Sequence, residues 1–274
     1  MEMIAEIGIN HNGNIQLAKE MIEAASVAGA DVVKFQKRTP ELCVPNTQKS
    51  VLRSTPWGVL SYINYKKRLE FGKTEYDVLD KFADRYNIRW SASVWDVPSL
   101  HFIQDYDVPF LKIPSACVTH TELLEAAVES GIPVYLSTGM TTESELRAAM
   151  RTLDNSVQVI LHCVSGYPTP DEQANLNKLT TLHQLYPDIK LGYSGHELGW
   201  LPTLIARSLG AEVIERHFTK DPTLWGSDQS ISLTPIDFAK LKVMLDTIPE
   251  MLGTGKLEIQ ESELPAINKL RRKI

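Results

Sequence analysis

The chain has 274 residues, 43% of them hydrophobic and 23% charged, with a formal net charge of −6. A chain of this size buries a sizeable core without covalent staples, and its composition is that of a globular protein. The acidic balance, with no basic block longer than Arg271-Arg272-Lys273, argues against a nucleic-acid partner.

Residues Met1–Asn10 carry Glu2 and Glu6 and lack a basic region followed by an apolar run. No signal peptide is expected there, and no stretch approaches the roughly 18 apolar residues of a membrane span. The first strand pattern is Ile4–Ile9. A helical pattern follows from about Ile15 to Ala28, with Gly29 as a stop signal. Val32–Gln36 reads as a second strand. Residues 37–73 hold three prolines and are too long for a simple connection, so a functional loop or subdomain is expected.

Helix and strand patterns then alternate: a helix near Thr74–Tyr86, then a strand at Arg89–Val94; a helix near Pro98–Asp105, then Phe110–Ile113; a helix near Thr121–Ser130, then Val134–Ser137. The series continues with a helix near Glu143–Leu153 and Val157–His162, one near Leu176–Leu185 and Lys190–Tyr193, and one near Trp200–Leu209 and Glu212–His217. A last helix spans roughly Pro235–Leu252. Eight strands alternating with eight helices require a parallel sheet. Their number within about 250 residues favours an α/β fold of the closed (β/α)₈ TIM-barrel type over an open doubly wound sheet. The barrel is expected over residues 1–255, with a polar surface tail or linker over 256–274. Cys43, Cys117 and Cys163 are few and widely spaced, with no C-x-x-C; a reducing compartment, the cytoplasm, is the expected location.

Strands of a parallel barrel are buried on both faces and should be apolar throughout. Here each ends in polar residues: Glu6, Asn10 and His11; Lys34, Gln36 and Lys37; Ser91 and Ser93; Lys112 and Ser115; Ser137 and Thr138; His162 and Ser165; Ser194 and His196; Glu215 and His217. The C-terminal rim is where such barrels build their active sites. Lys34 and Lys112 sit inside apolar strands, which leaves three readings: an anion site with Ser115, Ser137 and Ser194, a Schiff-base lysine, or structural ion pairs with Glu6 or Glu215. His196 and His217 end neighbouring strands; they read as ligands of one metal ion, or as core residues or general acids. Nothing marks Cys163 as an activated thiolate.

In order and spacing, Ala5–Gly13, Val33–Gln36, Leu111–Ser115, Leu136–Met140, Leu161–Cys163, Tyr167–Pro170, Gly192–His196 and Glu215–Thr219 resemble the motifs of sialic-acid synthases. The resemblance runs from residue 4 to about residue 252. It implies a transferase that condenses phosphoenolpyruvate with N-acetylmannosamine or a related amino-sugar aldehyde, giving a nine-carbon 2-keto sugar acid and phosphate. By that resemblance Lys34, Ser93, Lys112, Ser115, Ser137 and Ser194 would hold phosphoenolpyruvate, with Ser165 standing where members often have Asn. His196 and His217 would bind a divalent metal, Mn²⁺ first and Mg²⁺ or Co²⁺ as alternatives. Glu6, Gln36, Tyr167, Glu215 and Asp228 would line the sugar and reacting centre, with Glu6 or Glu215 placing water or moving protons. Gly195 stands where many members carry Asp. The family's C-terminal antifreeze-like domain, which covers the partner's barrel in a homodimer, is expected to be absent; residues 37–73, with Trp57, Tyr62 and Tyr65, would then serve as a lid. The alternatives are a non-catalytic or partner-dependent phosphoenolpyruvate-binding barrel and a Schiff-base pyruvate aldolase acting through Lys112.

Overall fold

The computed structural model describes residues 1–272. Its strands are β1 (Glu2–Gly8), β2 (Val32–Lys37), β3 (Leu52–Thr55), β4 (Gly58–Ser61), β5 (Arg89–Val94), β6 (Leu111–Ile113), β7 (Val134–Ser137), β8 (Val157–Cys163), β9 (Lys190–Gly195) and β10 (Val213–His217). Eight of them close a parallel barrel in the order β1-β10-β9-β8-β7-β6-β5-β2, while β3 and β4 form a separate antiparallel hairpin. The expected (β/α)₈ barrel is therefore present, with helices between successive barrel strands.

Local chemistry sets the element ends. The Asn14 side chain accepts hydrogen bonds from the backbone N–H groups of Gln16 and Leu17 and starts the helix Ile15–Val27. Thr142 and Glu145 form a reciprocal capping box at the start of Glu143–Leu153. Thr234 accepts from the Asp237 N–H before the last barrel helix, Pro235–Leu252, whose first residue is the proline a helix start tolerates.

Side chains alternate across each strand. The outward set, including Ala5, Ile7, Val33, Phe35, Leu111, Leu136 and Ile214, packs under the helices as the main core. The inward set differs along the barrel axis. Ile4, Val32, Phe110, Tyr135, Val159, Leu161 and Val213 form a buried apolar cluster, with the Phe110 and Tyr135 rings stacked 3.8 Å apart. Two residues further along most of these strands, the same inward face carries Glu6, Lys34, Lys112, Ser137, Cys163 and Glu215. A greasy floor thus lies beneath a polar mouth.

Residues 37–73 are ordered: two one-turn helices, the β3–β4 hairpin and the helix Tyr62–Leu69. Tyr65 and Leu69 pack on Ile9 at the barrel mouth, joined by Trp57, Leu60 and Tyr62. From Lys256 to Arg272 the chain is almost wholly exposed, with a 3-10 turn at Glu261–Glu263 leading into a short helix at Leu264–Leu270.

Candidate active site

A cavity of about 230 Å³ opens at the C-terminal mouth. It is lined by Glu6 of β1, Lys34 and Gln36 of β2, Ser93 of β5, Lys112 of β6, Ser115 after β6, Ser137 of β7, Ser165 and Tyr167 after β8, Ser194 of β9, His196 after β9, and Glu215 and His217 of β10. Strand register explains the convergence: Glu6 lies beside Lys34 and His217, Ser93 beside Gln36 and Lys112, and Ser194 beside Glu215.

Four charges share the floor of this cavity, each almost fully buried. Lys34 pairs with Glu6, donates to Ser93 Oγ at 2.7 Å and lies 3.7 Å from Glu215. Lys112 donates to both Glu215 oxygens, at 3.0 and 2.9 Å, and Ser194 donates to the same carboxylate at 3.0 Å. Gln36 donates to Glu6 at 2.9 Å. Burial pushes the Glu6 carboxyl up, and the Lys34 ammonium offsets this only in part. Burial acts on Glu215 too, but two ammonium groups and two hydrogen bonds outweigh it, and its pKa falls to about 2. The ion pairs weighed from sequence are therefore present, and they lie within the cavity rather than away from it.

A second feature sits beside them. The Gly139 N–H donates to Ser115 Oγ at 2.9 Å. A Cβ at Gly139 would stand 2.8 Å from Ser115 Oγ and 2.9 Å from Cys163 Sγ and would also collide with Ser165 Oγ. Only glycine leaves these groups room to converge, and the result is a pocket edge rich in neutral donors, suited to phosphate or carboxylate oxygens.

His196 and His217 face each other with ring centroids 5.6 Å apart, and Tyr167 lies over His196 at 4.3 Å. His196 Nδ1 lies 2.8 Å from the Val164 carbonyl, which can only accept. The proton is therefore on Nδ1, and Nε2 carries a free lone pair. His217 Nδ1 is buried with no hydrogen-bond partner. Burial lowers both imidazole pKa values, that of His196 to about 4, so both rings are neutral.

Asp228 stands on the loop after β10 and is not among the residues around this cavity, yet it acts electrostatically on His217 and Tyr167 on one side and on Tyr65 and Lys66 on the other. Several rim residues turn away, because alternate strand positions face opposite sides. His162 bonds the Ala174 carbonyl at 2.8 Å, Lys37 donates to Phe71 O at 2.8 Å, and His11 stacks on Phe71. Ser91 points inward but low, donating to Phe110 O. Trp95, Met140 and Cys163 also line the cavity, and their apolar character gave no signal in the sequence. Also unanticipated is a buried network on the outer wall. Arg216 donates to Glu197 Oε1 at 3.1 Å, Glu197 O at 2.8 Å, Gly199 O at 2.8 Å and Thr203 Oγ1 at 2.9 Å. Tyr193 and Thr203 donate to the Glu197 carboxylate at 3.0 and 2.7 Å. Glu197 and Arg216 are the chain neighbours of His196 and His217, so the network fixes the two backbones that carry the imidazoles.

The NeuB family model matches residues 21–257. The chain belongs to the NeuB family. The N-acetylneuraminate-9-phosphate synthase of Mus musculus is 35% identical over 99% of this chain and 77% of its own length. The N,N'-diacetyllegionaminic acid synthase of Legionella pneumophila is 34% identical over 99% of this chain and 79% of its own. The crystal structure of N-acetylneuraminic acid (sialic acid) synthetase from Leptospira borgpetersenii, in complex with citrate, superposes with a TM-score of 0.86 at 38% identity, covering 99% of this chain and 92% of that one. This NeuB-family chain is accordingly an enzyme, a synthase of acidic sugars. Among its described residues no helix is long and apolar enough to cross a membrane.

Proposed function

We propose that this protein condenses phosphoenolpyruvate with N-acetylmannosamine or a related amino-sugar aldehyde, giving a nine-carbon 2-keto sugar acid and phosphate. The observation that carries this reading is the convergence of two buried lysines with the serine hydroxyls of one rim cavity. Phosphoenolpyruvate presents a phosphate and a carboxylate close together, which is what such a donor set recognises. Lys34 with Ser93, and Lys112 with Ser194, hold the anionic groups; Ser137, Ser165 and Ser115, the last positioned by the Gly139 N–H, complete the cradle.

The donor set also fits a divalent metal. Both imidazoles are neutral, His196 offers Nε2, and His217 Nδ1 lacks any partner. Among the described residues no group of three or more His, Cys, Asp and Glu gathers at one point, so His196 and His217 would hold Mn²⁺, or Mg²⁺ or Co²⁺, with water or substrate completing the shell. Such an ion supplies Lewis-acid polarisation of the aldehyde oxygen.

In the reaction, C3 of phosphoenolpyruvate attacks the aldehyde carbon, water adds at C2, and the tetrahedral species expels phosphate. Lys34 and Lys112 stabilise the anionic groups throughout. Glu6, fixed by Gln36 and Lys34, and Glu215, fixed by Lys112 and Ser194, are the two carboxylates that can orient the water and carry its proton. The Schiff-base reading is disfavoured by geometry, because the Lys112 nitrogen is engaged by both oxygens of Glu215 rather than presented free to a carbonyl carbon.

Phosphate release from phosphoenolpyruvate with Mn²⁺, screened over N-acetylmannosamine and 6-deoxy diamino sugars with His217→Ala as control, tests the proposal. Release with one acceptor, lost in the variant, is expected. Binding of phosphoenolpyruvate with no consumption for any acceptor would instead indicate a non-catalytic barrel, and a pyruvate adduct trapped on Lys112 by borohydride would indicate an aldolase.

A further inference from the structure

Arg38 follows β2 and stands behind the wall of the reaction cavity without lining it. Its side chain is only 10% exposed. The guanidinium lies 4.2 Å from the ring centre of Trp95, a residue that does line the cavity. Glu70 answers its charge, with Oε1 at 3.5 Å from Arg38 Nε, yet Nε makes no hydrogen bond. Among the described residues the one hydrogen bond that the guanidinium donates goes to Gln36 Oε1.

Gln36 passes that contact on. Its Nε2 donates to Glu6 Oε1 at 2.9 Å, and Glu6 Oε2 pairs with Lys34. A glutamine amide has one donating and one accepting end, and a half-turn about its last bond exchanges them. Arg38 decides between the two. A guanidinium can only donate, so the end facing it is the carbonyl oxygen, and the end facing Glu6 is then the N–H. Reversed, the amide would set an oxygen against a buried carboxylate and leave both acceptors without a donor.

The surroundings leave this chain of contacts little play. Gly8 has φ +55°, and a Cβ there would stand 2.9 Å from Glu6 Oε1 and 3.0 Å from Gln36 Nε2. The Glu6–Gln36 contact thus fills space that glycine leaves open. At the other end, Glu70 Oε2 accepts from the Arg38 backbone N–H at 3.3 Å and lies 3.5 Å from Lys37 Nζ. Glu70 directly follows the helix Tyr62–Leu69, so the chain of contacts is anchored in the long segment between β2 and β5.

We propose that Arg38 is a positioning residue of the reaction, acting through the Gln36 amide to hold the Glu6 carboxylate in its working orientation. This rests on the reading that Glu6 is one of the two carboxylates that can orient the water in the condensation. Arg38 itself stays outside the cavity and touches neither substrate.

The test is a double-mutant cycle of Arg38→Met and Gln36→Leu, read by steady-state kinetics with Mn²⁺ and by NMR of protein labelled with ¹⁵N-glutamine. Methionine keeps apolar bulk against Trp95 and removes every donor. The Gln36 amide protons, identified by their loss in Gln36→Leu, should exchange slowly with water in wild type and fast in Arg38→Met. The kcat of Arg38→Met should fall about tenfold to a hundredfold, the worth of one charge-assisted hydrogen bond. Its affinity for phosphoenolpyruvate, measured by calorimetry, should be retained, because Arg38 touches neither Lys34 nor Lys112. In the Gln36→Leu background, Arg38→Met should cost no further kcat, since the contact is already cut. Arg38→Lys keeps the charge opposite Glu70 and serves where Arg38→Met does not fold; its smaller loss should vanish in the same background. An unchanged kcat in Arg38→Met, an equal further loss in the Gln36→Leu background, or amide protons that ignore the substitution overturns the proposal. A wild type that consumes no phosphoenolpyruvate with any acceptor counts against the condensation instead. The amide protons then decide alone: fast exchange in Arg38→Met upholds the hold on Gln36, and unchanged exchange overturns it.

Discussion

The Glu197 carboxylate occupies the space beside Gly195: a Cβ built there would lie 2.6 Å from Glu197 Oε2 and 2.8 Å from Oε1. That carboxylate neutralises the fully buried Arg216. The family resemblance implies Asp at position 195 in many members, and here the Glu197 carboxylate already fills the space that side chain would enter. Gly195 and Glu197 should therefore behave as one unit. Gly195→Asp alone overpacks the site, at about 1–3 kcal/mol. Glu197→Thr alone leaves Arg216 unpaired, at about 3–5 kcal/mol. The double variant should recover about 1–3 kcal/mol relative to the sum. Urea denaturation of the four proteins measures this coupling; simple additivity would refute the exchange.

Phosphoenolpyruvate should stabilise the protein. A ligand at about 100 times its Kd adds about 2.7 kcal/mol, which a thermal shift resolves. Lys112→Met should abolish the shift and lower intrinsic stability by about 3–5 kcal/mol, since Glu215 loses its bidentate partner. A wild-type protein whose melting temperature ignores phosphoenolpyruvate would reduce the Lys–Glu cluster to a structural role.

Chelation should stop turnover, and added Mn²⁺ should restore it. His217→Ala should weaken Mn²⁺ binding, read by electron paramagnetic resonance without substrate, by at least about tenfold to a hundredfold, the effect of losing even a supporting ligand contact. Undiminished Mn²⁺ affinity in that variant would remove His217 from the metal site.

Burial lowers the Lys66 pKa from 10.5 to about 8, with Arg38 and Arg53 adding to the effect and Asp228 and Glu70 opposing it. Between these values the unfolded chain binds more protons than the folded one, so this residue's contribution to stability rises with pH across that window. Lys66→Met should therefore be more stable than wild type at pH 7, with the gap closing towards pH 10. A gap that widens with pH contradicts this assignment.

Trp57 packs edge-on against Trp225 at 5.8 Å and lies under the Arg68 guanidinium at 4.7 Å. This contact ties the hairpin to the loop after β10, and a hairpin serving as a lid would depend on it. Trp57→Ala should raise the KM for the acceptor about tenfold, with a smaller change in kcat and in the KM for phosphoenolpyruvate. An unchanged acceptor KM would show that the hairpin is no lid.

The barrel was legible because apolar strand runs and amphipathic helices alternate, and the rim because charged residues such as Lys34, Lys112 and Glu215 interrupt those runs. Which polar residues face inward was less legible. Ser93 and His162 look alike as strand-end polars, but strand alternation sends one into the cavity and the other under a helix. The partners of Lys34 and Lys112 depend on register between strands distant in sequence. The packing of Tyr65 on Trp225 depends on the segment after β4 meeting the loop after β10, and the Glu197–Arg216 pair on a contact through the wall between β9 and β10. No local pattern encodes such meetings.

The apolar cluster beneath the mouth, with Phe110 and Tyr135 stacked at 3.8 Å, seals the barrel from below. A vessel with one door imposes an order on its traffic. A ligand held by Lys34 and Lys112 would have to enter before an acceptor settled above it, and the product would have to leave before the deep site refilled. Initial-rate patterns should accordingly show sequential, ordered addition, with phosphoenolpyruvate binding the free enzyme first and the acceptor binding only the resulting complex.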